Sequence, residues 1–141
     1  MTAWLVRGGR EGELEEEALA SGLLVLRWSA MPDLSAVHDR AELSDLVRAT
    51  YPGERDGTIR SWVGQLWAVR SRMAIGDRVV LPRKGEPVVA LGTIAGPYEH
   101  RPGVHVRAVD WDDDHVARHD LPPAWQRAVR YVPATVCELR E

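Results

Sequence analysis

Apolar positions along this chain follow two rhythms. Residues 3–7 (Ala-Trp-Leu-Val-Arg) and 23–27 are short, nearly continuous apolar runs, which predict strands. Gly8 and Gly9 break the first run. Between the two, Leu14, Ala18 and Leu19 recur at helical spacing over 11–21. Acids fill the first turn, where the helix dipole favours them, and Gly22 suits the stop. Residues 28–33 (Trp-Ser-Ala-Met-Pro-Asp) cannot continue a regular strand and read as a loop. Ser35 is the expected N-cap of a helix over 35–50, with Leu43, Leu46 and Val47 inward.

Pro52, Gly53, Asp56 and Gly57 mark a loop. Residues 58–73 form the strongest amphipathic pattern, with Ile59, Trp62, Val63, Leu66, Trp67 and Val69 available for packing. Gly76-Asp77 predicts a turn, 78–82 and 87–94 predict strands, and Lys84-Gly85-Glu86 joins them as a hairpin. Residues 98–111 read as one bent or interrupted strand around Pro102-Gly103. Pro122-Pro123 opens a short helix through Val129, and 135–139 closes the chain as a strand. No repeat or linker interrupts residues 1–141, so a single α+β domain is expected. A small, strongly bent sheet closing into a barrel, with helices outside, would bury such short strands without open edges.

Composition adds little to this picture, and charge adds more. The chain has 141 residues, 45% hydrophobic and 28% charged, with a net charge of −3. No apolar run is long enough to span a bilayer, and the N-terminus lacks the zones of a signal peptide, which fits a cytoplasmic protein. Cys137 is the only cysteine, so no internal disulfide or cysteine-built zinc site is expected. The basic residues are segregated. From Arg55 to Lys84 there are seven cations against Asp56 and Asp77, while acids gather over 11–17 and 110–114. Such a stretch either attracts phosphates or forms a solvated helix face. Arg60, Arg70, Arg72, Arg83 and Lys84 are the candidate phosphate contacts, with Arg7 and Arg10 flanking the glycine pair. Gly8-Gly9 itself is either a point of close backbone approach to a ligand or a plain tight turn.

Six Trp and three Tyr with no Phe is an unusual aromatic set. A protein that reads an extruded base needs planar aromatics, polar groups at the base edge and cations along the backbone. Trp28 follows a buried strand in a loop and is either a pocket wall or core. Trp62 and Trp67 lie about 140° apart on a helix, so one is expected to pack and the other to face a pocket or groove. Trp4 reads as core, and Trp111 and Trp125 as core or rim. Asp33 is either an acceptor for the exocyclic amine of cytosine or a loop anchor. Ser29 and Gln65 offer further edge contacts, with backbone satisfaction the alternative for Gln65. Tyr98 and His100 follow the Gly96-Pro97 break and could line a pocket mouth, with an exposed loop histidine the alternative for His100.

Thr58-Ile59-Arg60-Ser61-Trp62-Val63-Gly64-Gln65-Leu66-Trp67, followed by Met73-Ala74-Ile75-Gly76-Asp77-Arg78-Val79-Val80, resembles the EVE-like branch of the PUA-like superfamily. The opening Trp4-Leu5-Val6-Arg7, the strand Val88 to Gly96 and the ending Ala134-Thr135-Val136-Cys137 are similar to further segments of that family. The ordered set looks closest to the N-terminal domains of modification-dependent (type IV) restriction endonucleases. Trp28-Ser29 takes the place of the first cage Trp of the related YTH domains. Where those domains carry amide side chains after the first strand, this chain has Gly8, Gly9 and Arg10. The resemblance implies a bent barrel whose pocket holds one base flipped from double-stranded DNA, 5-methylcytosine or 5-hydroxymethylcytosine. It also implies a reader without a cofactor, to which a nuclease domain is attached in some relatives.

No catalytic pattern is legible. A PD-(D/E)xK nuclease needs an acid two residues before its lysine, and Pro82 stands there before Lys84. His115 and His119 beside Asp112, Asp113 and Asp114 read as a polar turn, not a metal site, since no strand–strand–helix pattern surrounds them. Three other readings stay open: an RNA reader of a modified nucleotide, a small-ligand protein of the ASCH type, and a protein-interaction module.

Overall fold

A computed structural model describes residues 1–140. The fold is mixed α+β. Its described residues contain seven strands: β1 Ala3–Val6, β2 Leu23–Leu26, β3 Arg78–Pro82, β4 Val88–Arg101, β5 Val104–Trp111, β6 Val116–Ala117 and β7 Val136–Leu139. They also contain four α-helices: α1 Glu15–Ser21, α2 Arg40–Thr50, α3 Asp56–Trp67 and α4 Pro123–Tyr131. The strands order as β2-β5-β4-β3-β1-β7, with β6 paired to β4. All pairs are antiparallel except β1 with β3. The end strands β2 and β7 do not pair, so the sheet is open and the expected closed barrel is not formed.

The apolar runs explain why the strands lie where they do. All four residues of β1 and of β2 are buried. On one face, Trp4, Val6 and Val79 join a cluster with Ala68, Val69 and Met73. On the other, Ala3, Leu5 and Val80 pack with Val129 of α4. A sheet covered on both faces needs no polar alternation, which is why these strands read as continuous runs. Helices α2 and α3 form a separate layer around Leu43, Val47, Ile59, Val63 and Leu66, to which the 28–38 loop adds Met31, Leu34 and Val37. Each fully buried side chain of this kind stabilises the fold by about 1.5–3 kcal/mol.

Several expected elements shift. Helix α2 starts at Arg40, not near Ser35. Asp39 caps it by accepting from the Glu42 amide (2.8 Å), and Glu42 accepts from the His38 amide (3.1 Å). Ser35 instead donates from both N–H and Oγ to Asp33, which holds a turn in the preceding loop. The strand expected over 98–111 is two strands. β4 runs fourteen residues to Arg101, and β5 begins after the turn at Pro102-Gly103. The β4–β5 register breaks between Ile94 and Tyr98. Pro97 sits inside that break, where its missing N–H costs no ladder bond. Helix α1 is shorter than expected but ends at Gly22 in the left-handed conformation. Helix α3 continues into a π-helical turn, Ala68–Arg72.

Candidate functional site

β2 delivers the chain to Trp28, the only non-glycine among the described residues with positive φ (32°). For a bulky side chain this conformation costs about 1–3 kcal/mol and persists only where surrounding bonds over-determine it. The Trp28 carbonyl accepts from the Met31 amide (2.9 Å) and lies 3.3 Å from His105 Nε2. His105 Nδ1 lies 2.7 Å from Tyr98 Oη, which accepts from the Leu34 amide (3.1 Å). These bonds define one tautomer. Nε2–H donates to the carbonyl, so Nδ1 accepts the Tyr98 hydroxyl proton. Burial holds His105 below the usual histidine pKa, which favours this neutral form. Tyr98, expected at a pocket mouth, lines a cavity of about 290 Å³ with Arg70 and Pro97, apart from the Trp28 cavity, while its hydroxyl pins the Trp28–Leu34 loop, and its own pKa is raised by burial. His100 packs against His105, with ring centroids 5.2 Å apart.

The Trp28 indole is half-buried. It packs against both the sheet cluster and the α2–α3 cluster and meets the edge of Trp62 at 6.4 Å and 72°. It also lines a cavity of about 190 Å³ together with Gly9, Arg10, Glu13, Arg27 and Thr135. Trp28 is thus wall and packing at once. Trp62 and Trp67 both pack against the α2–α3 cluster, Trp62 with its ring 5.0 Å from Tyr51, and neither lines the Trp28 cavity. Gln65 is buried and structural: it donates to Ser61 Oγ and accepts from the Val136 amide, tying α3 to β7. Asp33 spends its Oδ1 on Ser35, and those bonds depress its pKa. Ser29 is exposed beside Trp28.

The Trp28 cavity shares Arg7, Gly9, Arg10 and Thr135 with a larger one of about 470 Å³, to which Lys84 and Arg118 also contribute. Gly8-Gly9 at their junction is explained within the fold. A Cβ at Gly8 would lie 2.6 Å from Glu15 Cγ, and Gly9 has φ +87°. Of the candidate phosphate contacts, four are engaged internally, among them Arg7, whose Nη2 donates to the carbonyls of Val129 and Val132. Arg70 donates to the carbonyls of Leu34, Ser35 and Val37. Arg72 pairs with Glu138 and lies over Trp4, and Arg83 pairs with Glu15 and Glu16. Arg10, Arg60 and Lys84 are exposed. Only Arg7, Arg10 and Lys84 of the seven meet at a cavity near Trp28.

Residues 4–140 match a family described as Domain of unknown function (DUF8426). The chain belongs to that family. Neither a curated protein nor a solved structure matches it. The DUF8426 span contains Trp28, both cavities and every loop that positions them.

Sequence reasoning missed the polar residues of β5 and the cations after it. His105 and Arg107 alternate with apolar residues in a strand, and that pattern is itself a signal of two polar groups on one buried face. Both are buried. Arg107 donates to the carbonyls of Gly96, Val69 and Met73. Asp112 pairs with Arg78, while His115 Nε2 lies 2.8 Å from Arg83, so the acidic turn does not converge on a common point. No group of three or more metal-ligating side chains converges among the described residues, and no helix there is long and apolar enough to cross a membrane.

Proposed function

We propose that this domain reads a modified base, 5-methylcytosine or 5-hydroxymethylcytosine, extruded from double-stranded DNA, as the specificity module of a modification-dependent restriction system. The observation that carries this reading is Trp28: a half-exposed indole on a strained backbone, at the wall of a small cavity that Arg7, Arg10 and Arg27 also line, with Arg27 paired to Glu13. The order of segments resembling EVE-like, PUA-like domains supports it. The sheet is open where that likeness implied a barrel, so the reading rests on the order of segments and on Trp28 and not on the fold. Extrusion costs a few kcal/mol, and stacking on an indole returns roughly 1–3 kcal/mol.

Asp33 does not line this cavity, but Glu13 does. Hydrogen bonds from its own amide, and more weakly from that of Glu11, hold the Glu13 pKa below the ordinary carboxylate value, with Arg27 adding to the effect at 3.5 Å. An ionised carboxylate is the acceptor that the exocyclic amine of cytosine needs. In this reading Glu13 takes the role expected of Asp33, and Trp28 supplies the stacking surface. The domain binds and does not cut.

The test is binding of the full chain to duplexes that carry cytosine, 5-methylcytosine, 5-hydroxymethylcytosine or N6-methyladenine at one site, with a structured RNA alongside. The methylated or hydroxymethylated cytosine duplex is expected to bind best. Trp28→Ala should lose about ten- to hundredfold there, with little change for plain duplex. Equal affinity for all four duplexes, or a preference for the RNA, refutes the proposal.

A further inference from the structure

The larger cavity poses a problem of charge. Arg7, Arg10, Lys84, Arg118 and Arg130 line it, against one carboxylate, Glu15. That carboxylate is already committed: it accepts from Arg83 Nε (2.9 Å) and from the Lys84 amide (3.0 Å). Arg7 is anchored from one side only. Its Nη2 donates to the carbonyls of Val129 (2.9 Å) and Val132 (2.7 Å) at the end of α4. Its Nε–H is buried with no acceptor, and so is the Nε–H of Arg118. Burial disfavours the charged form of Arg7, and the positive charge of Arg118 disfavours it further. Two half-buried guanidiniums, each with a buried Nε–H that lacks an acceptor and with no anion shared between them, form an arrangement that folding alone does not favour, even though Arg118 Nη2 reaches the Arg83 carbonyl (3.4 Å).

We infer that this cavity is a binding site for a phosphate group, held between Arg7 and Arg118 with Arg10, Lys84 and Arg130 around it. A guanidinium pair offers the planar donor forks that match phosphate oxygens. The cavity, at about 470 Å³, has room for a phosphate with its ester substituents. Resting on the base-reading proposal, the phosphate is the phosphodiester next to the extruded nucleotide, because both cavities share Arg7, Gly9, Arg10 and Thr135. Arg118 and Arg130 then belong to the interface although they lie more than eighty residues beyond Trp28 in sequence. They grip backbone and carry no information about the base.

Two measurements on the full chain test this. In the first, inorganic phosphate is added while melting temperature and the Arg Nε–H resonances are followed. Phosphate should raise the melting temperature of the wild type and shift the Arg7 and Arg118 signals. Arg118→Gln should melt no lower than the wild type without phosphate, since it removes a repulsion, and should gain nothing from phosphate. In the second, the methylated duplex is titrated at several salt concentrations. Arg118→Gln and the more exposed Arg130→Gln should each weaken binding to plain and methylated duplex alike and lower the salt slope by about one unit. Phosphate shifts at Arg7 and Arg118 without binding of any duplex would keep the phosphate site and sink the base reader, and a nucleoside monophosphate then replaces the duplex as ligand. A duplex preference for methylcytosine with Arg118→Gln and Arg130→Gln indistinguishable from wild type, and no phosphate shift, overturns the phosphate site while the base reader stands.

Discussion

Buried charge is handled in opposite ways at two places in this fold. At the Gly76-Asp77 turn both carboxylate oxygens of Asp77 have donors. The Asp77 carboxylate, itself buried, accepts from the amides of Thr2 (3.1 Å) and Ala74 (2.9 Å) and from the Trp4 indole (3.0 Å). Burial pushes its pKa up, but those donors more than offset the push and the net shift is downward. Arg107 likewise sits in a ring of carbonyls, although burial lowers its pKa. At the Arg7–Arg118 cavity both Nε–H donors lack acceptors, although each guanidinium reaches a carbonyl through Nη2, and the charge of Arg118 disfavours that of Arg7. The first arrangement holds the molecule together, joining the N-terminus, β1 and the entry to β3. The second is complete only when something arrives from outside.

Substitutions separate these two kinds of charge. The largest effect is expected at Asp77. Asp77→Ala strands three donors, each worth about 1–3 kcal/mol when left unsatisfied, so a loss of about 3 kcal/mol or more should appear in urea denaturation. A loss below 1 kcal/mol would mean that the turn is not held this way. Arg70→Ala comes next. It strips three loop carbonyls of a charged donor and should cost about 1.5–3 kcal/mol, with the salt slope of DNA binding unchanged. A reduced slope with unchanged stability would return Arg70 to the phosphate contacts.

His105 gives a smaller, pH-dependent effect. Its folded pKa lies below the ordinary 6.5. The unfolded chain therefore binds the extra proton first as pH falls, and stability drops below about pH 6.5 until the lower folded pKa is reached. Above that window the contribution is constant. The carboxylates with depressed pKa, such as Asp77, lose their contribution only at more acidic pH, below their ordinary 3.8. His105→Gln should flatten the melting-temperature profile between about pH 7 and the pH at which carboxylate contributions begin to be lost, near their ordinary 3.8. An unaltered profile assigns the slope to another group. The smallest effect is expected at exposed Arg60, where Arg60→Ala should change stability by less than about 0.5 kcal/mol.

The contrast also explains what could be read without coordinates. β1, β2 and β3 were legible because strands covered on both faces are continuous apolar runs, and α3 because Ile59, Val63 and Leu66 recur at helical spacing. Gly22 marked the end of α1 for a local reason, its left-handed backbone. The end of β4 was not legible. Gly96-Pro97 carries the composition of a turn, and only the pairing with β5 shows that it is a register break inside a strand. Ser35 and Asp39 are both acceptable caps, and tertiary burial of Met31, Leu34 and Val37 decides between them. At the candidate site, Trp28 and Arg10 were found from local sequence, as neighbours of strand ends. Arg118 and Arg130 were not, because β7 pairing with β1 and the bonds from Arg7 to the end of α4 bring them in. Local spacing holds no record of such an approach.

The π-helical turn after α3 has a consequence for length variation in this chain. An ordinary α-helical turn would use the carbonyls of Ala68 and Val69 for its own ladder, whereas here the Ala68 carbonyl accepts from the Met73 amide and that of Val69 faces Arg107. Deleting one residue, Ser71 for example, would make the helix regular and raise its local propensity. The same deletion would rotate Met73 and draw its carbonyl away from Arg107, leaving a buried cation short of an acceptor 2.6 Å away. Changes of length at this turn should therefore destabilise the fold although it ends on the exposed Ser71 and Arg72, and an attempt to idealise the helix by shortening it would yield a less stable protein.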